Sequence, residues 1–370
     1  MLERVERVIT KVRNRAPGGN NADDAAGFLH WPSSLGLEVL IAEGTGTFSH
    51  THTIPVTPPH YALGVIDLHT HSSFSDGSDT PEQLAQKAHD VGISAIALTD
   101  HDTTLSHAEM AAACERLGLE LVDGVEVSLR DDEFSRFSDG ESKPRNVHVL
   151  AYFLPQDPDH PLQRQLAKLR KDREQRNQQL VDLLQEKGLS DLTLAYLTQM
   201  TGNVDSIGRP HFARAMVDLH PEIVGEPGVE TTNRIFTDWL GVGGAAYVPK
   251  TSMGIQDFVG AAEGSGTVFS IAHPLINYLD EINPASIETT MPKVMGSLRE
   301  RGFKGIEAYY GGTSAGIRAL MVKLARDAGM IPTGGSDYHG TYKPDVELGR
   351  GRSGDLHVPN EVLDELKAAR

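Results

Sequence analysis

The sequence has little cysteine and no long apolar run, and both absences exclude whole classes of protein. Cys114 is the single cysteine among 370 residues, so an internal disulfide is excluded and a metal site must use nitrogen and oxygen ligands. No apolar run approaches the roughly 18 residues that a membrane helix needs. The first residues, Met1-Leu2-Glu3-Arg4, lack the apolar core of a signal peptide. We therefore expect a cytoplasmic protein without a membrane segment.

Positive charge is also scarce. The chain has 34 Lys and Arg residues against 51 Asp and Glu residues, which gives a formal net charge of −17 at pH 7. Long duplex nucleic acid is bound through many contacts between basic side chains and phosphates, so we exclude it as a partner. A small phosphorylated nucleotide or a short oligonucleotide remains compatible, because bound divalent ions reverse the local field. The sequence says nothing of protein partners or oligomeric state.

Histidine and carboxylate residues recur where apolar segments end. Asp67-Leu68-His69-Thr70-His71 is followed by Asp76, and residues two apart on a strand point to the same face, so His69 and His71 can bind one ion together. The same chemistry returns in Thr99-Asp100-His101-Asp102, Gly124-Val125-Glu126, Val147-His148-Val149, Ala272-His273-Pro274 and Gly335-Ser336-Asp337-Tyr338-His339. This recurrence predicts a multinuclear metal site.

From Leu63 onward, short apolar segments alternate with amphipathic ones. Strands are predicted at 65–68, 93–98, 121–127, 147–153, 267–272, 305–309 and 331–334. Helices are predicted after a cap at Ser78 or Asp79, at 106–117, within 285–301 and at 313–328. The succession predicts an α/β fold with a parallel sheet or barrel, in which the active site lies where the strands end.

Two regions interrupt this alternation. Residues 1–62 are rich in Gly, Thr and Pro and show little periodicity, so we predict a leader that is largely disordered. Residues 155–249 are helical and polar in pattern, and we predict an inserted helical cap there. The catalytic barrel would then comprise residues 63–154 and 250–370.

One helix of the predicted cap carries arginine within its apolar stripe. The stripe recurs at steps of four and three residues and consists of Leu162, Leu166, Leu169, Arg173, Arg176, Leu180 and Leu183. Either the arginine stems lie at a helix edge and pair with acidic groups, or the guanidinium groups bind a substrate phosphate. Arg209 and Lys250 are further substrate-binding candidates, because both lie in rigid turns that contain proline.

These residues resemble the PHP (polymerase and histidinol phosphatase) family of metal-dependent phosphoesterases. DLHTHSSFSDGSDTPEQL, ALTDHDT, GVEVS, HVLAYF, IAHP, GIEAYY and GGSDYHG occur in family order between Ile66 and His339. The resemblance implies a distorted (β/α)7 barrel and a site of two or three divalent ions. The implied ligands are His69, His71, Asp76, His101, Glu126, His148, His273, Asp337 and His339. Such imidazole-rich ligation suits Mn²⁺, our first expectation, or Zn²⁺ or Fe²⁺ better than Mg²⁺.

Asp76 indicates a branch of this family. Several PHP enzymes have His at this place, and the departure is similar to the stand-alone nucleotide phosphatases, as is the long insertion with GRPHFARAM. The resemblance implies removal of the 3′-phosphate from nucleoside 3′,5′-bisphosphates by metal-activated hydroxide. The alternative is a 5′-3′ exoribonuclease for short RNA; histidinol phosphatase and a non-catalytic metal-binding regulator are less favoured.

The remaining catalytic roles stay open at this point. His211 or His273 could protonate the leaving oxygen, although a metal ligand cannot easily act as that acid as well. Asp67, Asp100 and Asp102 are expected to fix the orientation of imidazole rings. Asp100 is counted with His211 and His273 among the catalytic candidates.

Overall fold

The computed structural model describes two strands within residues 36–55 and then residues 65–370, except 139–140, 202–206 and 250–252. Strands β1 (Gly36–Leu40) and β2 (Thr51–Pro55) pair with each other in antiparallel fashion, in a compact unit that spans Met1–His60. The rest of the predicted leader, residues 1–62, lies outside the described residues.

A second unit, Tyr61–Arg370, contains a sheet of seven strands in chain order. These strands are β3 (Val65–Thr70), β4 (Ile93–Leu98), β5 (Glu120–Ser138), β6 (Glu141–Tyr152), β7 (Val268–Ile271), β8 (Gly305–Tyr310) and β9 (Ile331–Gly335). The edges β3 and β9 meet, because His71 N donates to Tyr338 O at 3.0 Å and Asp337 N donates to His69 O at 2.9 Å. The sheet therefore nearly closes into the predicted barrel.

The prediction of a parallel sheet is wrong for β6, which is antiparallel to both of its neighbours. The strands β3, β4 and β5 run parallel, as do β7, β8 and β9, but β6 opposes β5 and β7. Antiparallel strands can follow each other without a crossover helix, and β5 and β6 form one hairpin longer than the predicted strands. His148 consequently lies inside β6, opposite Ser128, and does not close an apolar segment.

The described residues form twelve α-helices. They are α1 (Pro81–Asp90), α2 (His107–Leu117), α3 (Pro161–Glu186), α4 (Leu194–Thr201), α5 (Arg209–Leu219), α6 (Pro221–Val224), α7 (Val229–Arg234), α8 (Ile255–Ala261), α9 (Pro274–Tyr278), α10 (Pro284–Glu300), α11 (Ala315–Asp327) and α12 (Asn360–Ala368). A π-helical turn spans Ile235–Leu240, and a 3₁₀ turn spans Gly340–Tyr342. None of the described helices is both long and apolar enough to cross a bilayer.

The cap of α1 is Thr80 rather than the predicted Ser78 or Asp79. The Thr80 hydroxyl accepts a hydrogen bond from Gln83 N at 3.2 Å, and Gln83 Oε1 accepts one from Thr80 N at 2.9 Å. This reciprocal pair is a capping box. The side chains of Ser78 and Asp79 therefore take no part in the cap. The Asp79 carboxylate instead accepts hydrogen bonds from Lys87 Nζ, at 2.8 Å for each oxygen.

Helix α3 joins two separate apolar cores. Leu162 and Leu169, in its first half, pack in the core formed by β5 to β8, whereas Leu180 and Leu184 pack with α4 and α5 in a core of the predicted cap segment. The arginine-bearing part of the stripe lies where the helix passes from one core to the other. Guanidinium groups are tolerated there because neither apolar core must enclose them.

Gly335 allows β9 to approach β3. A Cβ atom on Gly335 would lie 2.4 Å from His69 N and 2.5 Å from His69 Cβ. These separations are shorter than any van der Waals contact, so a side chain there would push the two edges of the barrel apart. His69 would move with them.

We predict that Gly335→Ala lowers the free energy of unfolding by about 2 kcal/mol, the usual cost of overpacking a dense interior. Gly296→Ala is the matched control, because its added Cβ meets no atom within 4 Å in α10. Alanine in that helix interior should stabilise by up to about 1 kcal/mol. Urea unfolding compares the two variants, and equal stabilities would contradict the role given to Gly335.

Candidate metal centre

The buried carboxylate of Glu126, on β5, faces a group of imidazole rings. Its Oε2 atom is 3.2 Å from His69 Nε2, 3.1 Å from His71 Nε2 and 3.3 Å from His101 Nδ1. The two histidines of β3 and its following loop thus face the same point, as their spacing predicted. His101 reaches it from the loop after β4, which forms a parallel bridge between His101 and Glu126.

The other oxygen of Glu126 faces β6 and β7. Oε1 is 2.9 Å from His148 Nδ1 and 3.0 Å from His273 Nε2, and these two ring nitrogens are 3.2 Å apart. His273 has a φ of 25°, a left-handed conformation that is costly for a residue with a side chain. Its N–H donates to Glu307 Oε2 at 2.6 Å, which holds the ring in this place.

Two aspartates complete the cluster. Asp76 Oδ1 is 3.2 Å from His339 Nε2, and Asp337 Oδ1 is 3.6 Å from both His69 Nε2 and His71 Nε2. Three sets of ligand atoms are each close enough to hold one ion: His71, Asp76, His101 and His339; His69, His71 and Asp337; His101, Glu126 and His148. His273 is in none of these three sets, but its Nε2 atom lies 3.0 Å from Glu126 Oε1 and 3.2 Å from His148 Nδ1. The structure thus brings all the predicted ligands together.

Unsatisfied ring nitrogens show that this cluster fits metal ions. His71 Nε2 and His101 Nδ1 are buried close to Glu126 Oε2, but neither forms a hydrogen bond with it or with another group, which is costly for polar atoms in an interior. Burial lowers the pKa of both rings, despite the carboxylates beside them. A neutral imidazole carries a free lone pair on one ring nitrogen, and this is the form that binds a divalent ion.

The carboxylates of the cluster stay ionised. Burial by itself would raise the pKa of Glu126, but His101, His69 and His148 hold it well below its usual range. Asp76 behaves in the same way, because the charges of His101 and His339 outweigh its burial. The centre is thus an anionic site that requires positive charge. Cations bound there would compete with protons on the imidazoles.

Glu307, which the sequence analysis did not single out, orients His69. Its Oε1 atom is 2.9 Å from His69 Nδ1, and its side chain is fully buried. With Nδ1 donating its proton to Glu307, the Nε2 lone pair of His69 is directed at the centre, the arrangement typical of metal-binding histidines. The signal in the sequence was an acidic residue within the apolar segment GIEAYY, where an unpartnered carboxylate would be costly.

Asp67 and Asp102 hold backbone groups. Asp67 accepts the N–H of Ser336 at 2.9 Å and of Gly349 at 2.8 Å, and so fastens β3 to the segments after β9. Asp102 has a φ of 57° and accepts the N–H of Ser128 at 2.9 Å. Its second oxygen pairs with Arg173.

Asp100 lies among serine hydroxyl groups and does not line the cavity over the metal centre. It accepts hydrogen bonds from Ser72 Oγ at 2.7 Å, Ser75 Oγ at 2.6 Å and Ser106 Oγ at 2.5 Å. This catalytic candidate therefore stabilises the loop that contains Ser72, Ser75 and Asp76 and does not contact the cavity. Its carboxylate is already occupied by hydroxyl donors, so it has no free lone pair to aim at an imidazole.

A cavity of 550 Å³ opens over the cluster, a volume typical of small-ligand sites. Its floor is formed by Asp76, His101, Glu126, His148, His273, Asp337 and His339, and its walls include Pro210, Val217, Phe236, Tyr342 and Lys343. The wall from the predicted cap is largely apolar. With divalent cations bound on this anionic floor, the site would suit a ligand that has a phosphate at one end and an apolar part against the wall.

Of the four predicted substrate-binding residues, three are described, and none of these three lines this cavity. Arg173 and Arg176 line a separate cavity of 90 Å³, and Arg209 is exposed at the start of α5. Lys250 lies outside the described residues. His211 is buried, accepts the N–H of Gly208 on Nδ1 at 3.0 Å and places its ring 5.5 Å from that of Tyr342.

Known proteins share this architecture. The PHP domain profile matches residues 67–226. A 3′,5′-nucleoside bisphosphate phosphatase of Chromobacterium violaceum is 30% identical over 275 residues, which cover 74% of this chain and 87% of that protein. The chain belongs to the PHP family. This membership confirms the predicted family and makes the protein a metal-dependent phosphoesterase.

Two further PHP relatives show the breadth of the family. A 5′-3′ exoribonuclease of Haemophilus influenzae is 27% identical over 274 residues, 74% of this chain and 89% of that protein. A crystal structure from Bifidobacterium adolescentis, assigned to the metal-dependent phosphoesterases, superposes with a TM-score of 0.65 at 26% identity and covers 83% of this chain and 96% of that one. The PHP barrel is thereby confirmed.

We predict that Glu307→Gln weakens metal binding by about 10- to 100-fold, the usual effect of removing a carboxylate that orients a metal-binding histidine. The amide would keep the shape of the side chain but lose the charge that faces His69 Nδ1. Glu263→Gln, at an exposed position, is the control. Mn²⁺ titration followed by calorimetry measures the affinity; unchanged binding in Glu307→Gln would refute the orienting role.

Proposed function

We propose that this PHP enzyme removes the 3′-phosphate from nucleoside 3′,5′-bisphosphates. A cluster of arginines beside the metal centre carries this proposal, because a substrate with two phosphates needs a cationic site for the one that is not cleaved. The PHP fold and the ligand set would serve any phosphoester. The arginines restrict the range of expected substrates to compounds that carry a second phosphate.

The arginines repel one another. Burial, together with the charges of Arg176 and Arg209, lowers the pKa of Arg173 to about 10. Burial and Arg209 likewise lower the pKa of Arg176. Arg173 pairs with Asp102, but within the described chain no carboxylate pairs with Arg176 or Arg209. A bound phosphate would balance this charge through bidentate hydrogen bonds.

The cluster adjoins the loop of a predicted metal ligand, because Arg173 pairs with Asp102, which follows His101 directly in the chain. We propose that Arg173, Arg176, Arg209 and Lys250 hold the 5′-phosphate while the metal centre receives the 3′-phosphate. Asp102 would keep the Arg173 guanidinium in position. This assignment makes the Asp102–Arg173 pair the link between the loop after β4 and the predicted cap.

The cluster of nine ligands would hold two or three divalent ions, with Mn²⁺ proposed first and Zn²⁺ or Fe²⁺ as alternatives. When bound, the ions would neutralise the phosphoryl oxygens and supply hydroxide near neutral pH. We propose His273 as one of these ligands, because its Nε2 atom lies 3.0 Å from Glu126 Oε1. His273 is therefore a poor candidate for the general acid.

His211 is the better candidate for the contact with the leaving oxygen. Because Nδ1 accepts the Gly208 N–H, the ring proton of the neutral form is on Nε2. Burial lowers the pKa of His211, as does the charge of Arg173, although Asp76 opposes the shift. We propose that a neutral His211 donates a hydrogen bond to the leaving oxygen and does not act as an imidazolium acid.

A 5′-3′ exoribonuclease that acts on short RNA is the second candidate. The cavity of 550 Å³ extends from the metal centre to the apolar wall at Val217 and Phe236, and this space could take a further nucleotide. Base stacking on aromatic side chains tolerates every base. Attack on a diester would use the same metal centre.

A substrate panel separates the candidates. We expect the Mn²⁺-loaded enzyme to hydrolyse adenosine 3′,5′-bisphosphate with the highest kcat/KM among that compound, a 5′-phosphorylated RNA dinucleotide and histidinol phosphate. The released phosphate and nucleoside products are resolved by chromatography. A preference for the dinucleotide would replace the leading proposal by the exoribonuclease, and a preference for histidinol phosphate would reject both.

We predict that Arg176→Ala lowers kcat/KM for adenosine 3′,5′-bisphosphate by about 10- to 100-fold, because a hydrogen bond between charged groups contributes about 1.5–3 kcal/mol. Hydrolysis of an aryl phosphate, which has no second phosphate, should change by less than about twofold. Arg164→Ala, at an exposed position of α3, is the control. Equal losses on both substrates would contradict the second-phosphate site.

A further inference from the structure

Lys343 is a cationic side chain at the edge of the metal centre. Its Nζ atom is 2.7 Å from Asp337 Oδ2, and the residue lines the cavity of 550 Å³ together with the ligands. Asp337 uses its other oxygen toward the ligand cluster, where Oδ1 is 3.6 Å from His69 Nε2 and His71 Nε2. The Asp337 carboxylate thus lies between the ammonium group and the ring nitrogens of His69 and His71.

The hydrogen-bonding capacity of Lys343 is only partly used. An ammonium group has three donors, and among the described residues Asp337 Oδ2 is its sole acceptor. The side chain is 36% exposed, and the residue lines the cavity. Two donors are therefore available to a ligand in the cavity.

Arg214, which also lines the cavity, is paired with an acidic residue that is not a predicted metal ligand. Arg214 donates from Nε to both oxygens of Asp218, at 2.8 Å and 2.7 Å, within α5. That pair lies on the wall from the predicted cap, away from the metal-binding floor. Of the described lysine and arginine residues that line this cavity, only Lys343 contacts a predicted metal ligand.

The backbone around Lys343 is fixed to the loop that carries Asp76. Ser78 N donates to His339 O at 3.1 Å, and Ser78 Oγ accepts the N–H of Thr341 at 2.8 Å. Gly340 has a φ of 64°, and an added Cβ would lie 2.0 Å from Ser78 Oγ. Lys343 therefore follows a turn that is packed tightly against its neighbour, so little entropy is lost when its ammonium group binds a ligand.

We propose that Lys343 binds the phosphoryl group that is cleaved, through a charged hydrogen bond from Nζ to a non-bridging oxygen. This inference rests on the proposed function in one respect, which is that the substrate carries a phosphate. It does not depend on which nucleoside the substrate contains. Lys343 would add a fixed positive charge beside ions that the ligand cluster binds, where charge gathers on the phosphoryl oxygens during transfer. It would serve a monoester and a diester alike.

A purely structural role is the rival explanation. Tyr310 Oη also donates to Asp337 Oδ2, at 3.0 Å, so Lys343 and Tyr310 together could do no more than orient Asp337 for a metal ion. The two roles differ in what they affect. Orientation of Asp337 affects metal affinity, whereas phosphate binding affects affinity for the anion at full metal occupancy.

The test measures inorganic phosphate binding to the full-length Mn²⁺-saturated protein by calorimetry, and Mn²⁺ affinity separately. We expect Lys343→Met to weaken phosphate binding by about tenfold or more, with Mn²⁺ affinity within about twofold of the unaltered protein. Lys343→Arg keeps the charge and should stay within about threefold for phosphate. Lys323→Met, at an exposed position paired with Asp327, is the control and should leave both affinities unchanged.

Two results would overturn the inference. One is unchanged phosphate affinity in Lys343→Met at full Mn²⁺ occupancy. The other is that Lys343→Met and Tyr310→Phe lower Mn²⁺ affinity equally, with phosphate binding following metal occupancy alone. Because the probe is inorganic phosphate, a failure of the bisphosphate preference in the substrate panel leaves this measurement valid.

Discussion

The carboxylate of Glu126 is the contact on which the site depends. It touches the ring nitrogens of His69, His71 and His101 with one oxygen and those of His148 and His273 with the other. An ionised group at 1% exposure is tolerated only when it is paired on every side. The strands that carry these histidines must therefore converge on β5, and a closed barrel is the simplest sheet that brings them there.

Closure in turn depends on small residues and on strain. Gly335 lets β9 reach β3, and Asp67 fastens the contact through Ser336 and Gly349. The described non-glycine residues with positive φ include Asp102, His273 and Asp337, all of which lie at the metal centre or contact its neighbours. Such conformations cost energy and are retained where the surroundings hold them. Here hydrogen bonds from Ser128 and to Glu307 do so.

Charge is divided between the two parts of this unit. The barrel supplies an anionic floor that suits metal ions, and the predicted cap supplies arginines in a protein whose net charge is −17. Asp102 connects them, because one of its oxygens holds the backbone of β5 and the other pairs with Arg173. Lys343 adds a cation on the barrel side. In the proposed function, one substrate phosphate would meet Lys343 on the barrel and the other would meet the arginines of the predicted cap.

The sequence by itself indicated the alternation of strands and helices, the approximate limits of α2, α10 and α11, and the common face of His69 and His71, because alternation, periodicity and spacing are local properties of the chain. The seven-stranded barrel and the full ligand set were implied by the resemblance to the PHP family. Tertiary structure decided what depends on distant partners. Glu307 contacts His69 although 238 positions separate them in the chain. His148 lies within a strand because β6 is antiparallel to its neighbours. Asp100 accepts hydrogen bonds from serine hydroxyls and not from imidazoles. Local sequence patterns indicate which polar groups will be buried and will need a partner. They do not identify that partner, because it is determined by proximity in the folded structure and not by distance along the sequence.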